Sequence, residues 1–186
     1  MIILHEIYGV NEHIKEVCLN CFNAGYDIYC PDLLNRELPY SYAQAEAAYL
    51  YFTRNIGFGI YSQVDIMAEQ LKRKYEKVLL LGFSIGATIA WRCSANGYYD
   101  GMIGYYGSRI RDYRSVMPGC PSFLLFAEED SFDVAGVVHE LQYMVNVKAE
   151  ILKGKHGFMD AHSINFNQKS CEKAWKLTQE FLAAIG

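Results

Sequence analysis

The stretch Leu79-Leu80-Leu81-Gly82-Phe83-Ser84-Ile85-Gly86-Ala87 places a serine between two glycines, where an apolar run meets helix formers from Ala87 to Cys93. Such a GxSxG pattern arises by chance in roughly 5% of chains this long at average Gly and Ser usage, so its strand-to-helix context carries more weight than the letters. Two glycines let the chain turn sharply without a Cβ clash. The turn would lift the Ser84 hydroxyl to the carboxyl edge of a sheet and aim a helix N-terminus at developing negative charge. The chemistry suggested is nucleophilic attack by Ser84, and the bland alternative is a tight turn with an inert serine.

A serine hydroxyl is a weak nucleophile at neutral pH, so attack requires a base and an acid to orient it. Phe123 to Ala127 reads as a strand ending in Glu128-Glu129-Asp130, which puts an acid just past a strand, on the edge expected for Ser84. Asp130 is the preferred orienting acid. Glu129 and Asp133 are close rivals, and a solvated acidic cluster is the alternative without chemistry. Lys155-His156-Gly157-Phe158 follows the last apolar run, where His156 can take the Ser84 proton on one ring nitrogen while Asp130 holds the other. His5, His13, His139 and His162 compete, although His13 and His139 fall in expected helices and a lone histidine is more often a surface or core residue.

The elements that hold these residues read as short, nearly continuous apolar runs of the kind buried parallel strands show: Met1 to His5, Tyr26 to Cys30, Val78 to Phe83, Gly101 to Tyr106, Ser122 to Ala127 and Val147 to Leu152. Asn11 can cap a helix carrying Ile14, Val17, Cys18, Cys21 and Phe22 on one face, and Gly25 stops it. Further helices are expected at Tyr42 to Arg54, Tyr61 to Tyr75, Ile85 to Asn96, Val134 to Met144 and Gln168 to Ala184. The alternation predicts an α/β fold, one doubly wound domain over residues 1–186, with the aromatic segment from Leu33 to Ser62 either covering the site or packing on the sheet.

The 186 residues, 52% of them hydrophobic, are enough for one core. A net charge of −4 without a basic run offers a polyanion nothing, so no nucleic-acid partner is expected. The apolar runs are too short to span a bilayer and the first residues lack a basic flank, so no membrane association and a cytoplasmic location are expected. Six cysteines are read as reduced. The Cys18-x-x-Cys21 pair is read as core packing, because no second pair or nearby histidine completes a metal set. No metal and no cofactor are expected.

Beyond the GxSxG segment, His5-Glu6-Ile7-Tyr8-Gly9-Val10-Asn11, Gly25-Tyr26 through Cys30-Pro31-Asp32-Leu33, Gly104-Tyr105-Tyr106-Gly107 and His156-Gly157-Phe158 together resemble the dienelactone hydrolase family of α/β-hydrolases across nearly the whole chain. The resemblance implies a Ser84, Asp130, His156 triad and an oxyanion hole from the backbone N–H groups of Ile7 and Ile85. Glu6 matches a glutamate that assists a cysteine nucleophile in other members; with serine in that place, a structural hydrogen bond from Glu6 is favoured over an accessory catalytic role. The likeness also implies that the usual leading strands are absent, leaving a mostly parallel sheet of about six strands with Tyr26 to Cys30 at an exposed edge. The founding enzyme holds its substrate carboxylate with arginines, whereas here only Arg36 and Arg54 stand at the margins of the Tyr42 to Thr53 helix, so dienelactone is not assigned as substrate.

The expected function is therefore hydrolysis of a small carboxylic ester, lactone or thioester through an acyl-enzyme on Ser84, in a shallow pocket with Tyr40, Tyr42, Tyr49 and Phe58 nearby, by a monomer or weak dimer. An acyltransferase or small peptidase with the same triad, or a noncatalytic binding protein of the same fold, are the alternatives.

Overall fold

The computed structural model describes residues 1–185. Strands β1 (Ile2–Leu4), β2 (Leu79–Phe83), β3 (Gly101–Tyr105), β4 (Ser122–Glu129) and β5 (Val147–Lys155) form one parallel sheet in that spatial order. Leu80 sits opposite both Ile2 and Met102, and Ser122 opposite both Met102 and Val147, so the loops after the strands emerge along a common edge.

Both faces are covered, which explains the unbroken apolar runs. Ile2, Leu4, Leu80, Met102, Leu124 and Phe126 point to the side packed by α3 (Tyr61–Lys72), α4 (Ile85–Cys93) and α5 (Val134–Leu141), with Phe52 of α2 (Ala45–Asn55) in the same core. Ile3, Leu81, Phe83, Ile103, Tyr105 and Leu125 face the side of α1 (Glu12–Asn23) and α6 (Gln168–Ile185). Asn11 caps α1 as expected, its side chain accepting the Ile14 N–H at 3.2 Å. No helix among the described residues is long and apolar enough to cross a membrane.

Among the described residues the sheet has five strands where about six were expected. The segment Tyr26 to Cys30 meets β1 through one parallel bridge, Tyr29 to Ile2, with Ile3 N–H donating to Tyr29 O at 2.8 Å and Tyr29 N–H to Met1 O at 2.9 Å. β1 is only three residues long and Pro31 offers no N–H, so the described pairing stops at one bridge. The expected helix from Tyr42 to Arg54 likewise begins as a 3₁₀ turn, Tyr42–Gln44, before α2.

Two features position the site. The chain leaves β1 toward the Tyr29 edge and returns on the opposite side as β2, so the crevice between the ends of β1 and β2 is a topological switch point. Between the pairs Ala127–Leu152 and Glu129–Lys155, β5 carries one residue more than β4, and Gly154 absorbs this bulge at φ +118°.

Candidate active site

Ser84 lies between β2 and the first residue of α4 with φ 52° and ψ −113°, a conformation non-glycine residues rarely adopt. It is held by Ser84 N–H to Tyr105 O at 2.9 Å and Thr88 N–H to Ser84 O at 3.2 Å. The flanking glycines are required by close approach of main chain to main chain. A Cβ on Gly82 would lie 2.7 Å from Ala87 N, and one on Gly86 would lie 2.6 Å from the Leu4 carbonyl carbon. Helix α4 is thereby pressed onto the end of β1, beside Glu6 and Ile7.

His156 follows β5. Its N–H donates to Glu129 O at 3.2 Å and its carbonyl accepts from Asn165 Nδ2 at 2.9 Å, which fixes the main chain on both sides of the ring. His156 Nε2 is 2.8 Å from Ser84 Oγ, and Nδ1 is 2.8 Å from Asp130 Oδ2. The other Asp130 oxygen accepts the Ser131 N–H at 2.6 Å. Burial of Asp130 opposes its charge, but the His156 hydrogen bond and charge together with the Ser131 donors hold its carboxyl below the ordinary aspartate value. The three residues singled out from sequence thus form one hydrogen-bonded chain across separations of 72 and 26 residues.

The rivals are occupied elsewhere. Asp133 caps α5, accepting the Gly136 N–H at 3.0 Å, and the Glu129 side chain is exposed while its carbonyl receives His156. His13 is buried 3.9 Å from Asp160, His139 stacks edge-on with Tyr143, and His162 pairs with Glu16 at 3.0 Å. His5 is fully buried between the Glu6 carbonyl and the Leu33 N–H. Cys21 is buried and Cys18 half-buried, and all six thiols are free.

A cavity of about 230 Å³ opens beside the serine, lined by Ile7, Tyr49, Ser84, Ile85, Ser108, Arg109, Asp130, Ser131 and His156. Ile85 is the first residue of its helix, where N–H groups have no partner within the helix, and Ile7 follows the end of β1. Of the four aromatic residues expected near the pocket, only Tyr49 lines it. Tyr42 donates to Asp160 at 2.6 Å, Phe58 packs on Phe52 and Tyr113, and the Arg36 guanidinium covers Tyr40. Arg109 went unread in the sequence because it sits on a 3₁₀ turn, Ser108–Asp112, that no periodicity marks.

Glu6, singled out in the sequence by the family resemblance, is a buried acid beside Tyr106 and His156. Glu6 is 4% exposed, its Oε1 without a hydrogen-bond partner of good geometry, and the equally buried Tyr106 hydroxyl faces it. Burial, reinforced by nearby Asp160 and opposed by His156 and Tyr106, raises the Glu6 carboxyl to about 7. Tyr106 stacks against His156 with ring centroids 4.9 Å apart.

The family model described as "Dienelactone hydrolase family" matches residues 1–186. The chain belongs to the dienelactone hydrolase family. An uncharacterised protein of Bacillus subtilis (strain 168), YczH, is 38% identical over 173 residues, covering 90% of this chain and 84% of that one. Carboxymethylenebutenolidase 1 of Cupriavidus pinatubonensis is 25% identical over 200 residues, covering 100% and 86%. The crystal structure of dienelactone hydrolase from Anabaena variabilis matches with a TM-score of 0.69 at 16% identity, over 98% of this chain and 84% of that one. This dienelactone hydrolase family member is an ester-bond hydrolase with the α/β-hydrolase fold.

Proposed function

We propose that the protein hydrolyses small carboxylic esters, lactones or thioesters through an acyl-enzyme on Ser84. The observation that carries this reading is the unbroken Ser84–His156–Asp130 hydrogen-bonded chain opening onto the small cavity. Ser84 Oγ attacks the acyl carbonyl as His156 Nε2 takes its proton. The imidazolium, held by Asp130, returns that proton to the departing alcohol or thiol, and in a lactone this leaving group stays tethered to the acyl chain. Water, deprotonated by His156, then attacks the ester on Ser84, and the imidazolium returns that proton to Ser84 Oγ as the Ser84–acyl bond breaks and the acid leaves. The negative oxygen of each tetrahedral intermediate is met by the N–H groups of Ile7 and Ile85, both on the cavity wall.

A cavity of about 230 Å³ suits a small acyl group. Arg109 gives its wall a cation whose Nε lies 2.7 Å from Asp112 Oδ2, so esters with and without a carboxylate on the acyl side form the informative substrate pair. The test is labelling with a fluorophosphonate, followed by intact mass and peptide mapping. One adduct on Ser84, lost in His156→Ala, is expected together with ester turnover that disappears in Ser84→Ala. Unlabelled folded protein, or turnover surviving in Ser84→Ala, overturns the reading.

A further inference from the structure

The fully buried ring of His5 is bonded at both nitrogens. Nε2 lies 2.8 Å from the Leu33 backbone nitrogen and Nδ1 lies 2.6 Å from the Glu6 carbonyl oxygen. A backbone N–H can only donate, so Nε2 carries the lone pair and Nδ1 carries the proton. The nearest carboxylate, Asp32, lies 3.6 Å from Nε2, and its oxygens already accept the Leu34 N–H at 3.0 Å and the Arg36 N–H at 2.8 Å. His5 is therefore the neutral tautomer that donates to Glu6.

The acceptor matters more than the histidine. Glu6 C=O and Ile7 N–H belong to one planar trans peptide, so the direction of the carbonyl sets the direction of the amide. Glu6 O also accepts the Gly9 N–H at 3.2 Å, closing a turn over Ile7 and Tyr8, with Gly9 at φ +87°. Ile7 N–H makes no hydrogen bond to any acceptor among the described residues, while its residue lines the cavity with Ser84 and Ile85. We propose that His5 is a positioning residue: by gripping the Glu6 carbonyl through Nδ1–H it holds the Ile7 N–H aimed at the oxyanion. The Leu33 N–H locks the ring from the far side, so the grip depends on the segment that follows the Tyr29 bridge.

This inference rests on the acyl-enzyme reading and adds a residue that touches neither substrate nor triad. Two variants separate aiming from packing, because the asparagine amide reaches the place of Nδ1 and the glutamine amide the place of Nε2. His5→Asn keeps a donor for Glu6 and loses the Leu33 acceptor, whereas His5→Gln does the reverse. Both should lose comparable stability. His5→Gln is expected to lower kcat by about 10-fold or more with KM little changed, while His5→Asn stays within about 3-fold of wild type, since a misaimed oxyanion donor acts on the transition state. Equal kcat in the two variants, or losses that follow melting temperature, would overturn the proposal.

Nitrogen-15 NMR of the wild type gives a readout that survives misfolding of a variant: His5 Nδ1 should be protonated and Nε2 bare, and the opposite tautomer defeats the argument. Failure of the parent reading is distinguishable, because wild type would then show neither serine labelling nor ester turnover. A failure of His5 positioning alone leaves both intact.

Discussion

Gly86 rests on the Leu4 carbonyl group so closely that a single Cβ would lie 2.6 Å from its carbon. That contact presses the start of α4 against the end of β1, and so brings Ser84 beside Ile7. Gly86→Ala must therefore separate two main chains that cannot bend aside as a side chain would. The expected loss is about 3 kcal/mol or more, together with loss of ester turnover, measured by urea denaturation and by assay.

Ser84 at φ 52° and ψ −113° is strained in a way glycine is not. Ser84→Gly should be more stable than Ser84→Ala by about 1 kcal/mol, the reverse of the usual order inside regular elements, and both should be inactive toward esters. Equal denaturation midpoints would show that the surrounding chain bears no strain there.

Asp130 meets His156 Nδ1 at 2.8 Å with its side chain 5% exposed. In Asp130→Asn the imidazole loses the partner that stabilises its protonated form, and kcat should fall by roughly 10³- to 10⁴-fold with KM changing far less. Steady-state kinetics on a small activated ester would show this. A loss below about 10-fold would mean that another acid supports His156.

Glu6 is held at about 7 in the fold against an ordinary value of 4.5. The folded chain thus keeps its proton where the unfolded chain has lost it. The stability linked to this raised value is fully present below pH 4.5 and is lost as pH rises through about 7. Glu6→Gln removes that dependence. Relative to the variant, wild type should lose on the order of 3 kcal/mol between pH 4.5 and pH 8, read from denaturation at a series of pH values.

The residues with a local signature were legible in the sequence. Ser84 announces itself through the two glycines, Asn11 through the helix it caps, and Asp130 and His156 through their places after apolar runs. Legibility ended where a role depends on a distant partner. Asp133 has the same chemistry as Asp130 and a position three residues away, yet it caps α5 instead. Tyr42 was expected near the pocket, but Asp160, 118 residues on, takes its hydroxyl. The sixth strand failed for a related reason: Tyr26 to Cys30 has strand composition, but pairing needs a partner, and β1 offers room for one bridge. Glu6 carries no mark in sequence of the desolvation that raises its carboxyl, because burial is a property of the assembled crevice.

The additional residue in β5 has a further consequence for how this site tolerates change. Side chains on a strand alternate with period two, so removing one residue at Gly154 would turn His156 away from Asp130 without altering the side chain of Ser84, Asp130 or His156. A substitution at an exposed position of β5 leaves this register intact, whereas a single-residue deletion there would act like the loss of the histidine itself. The number of residues between Leu152 and His156 is therefore a counted length, because it decides on which side of the strand the imidazole meets the Asp130 carboxylate.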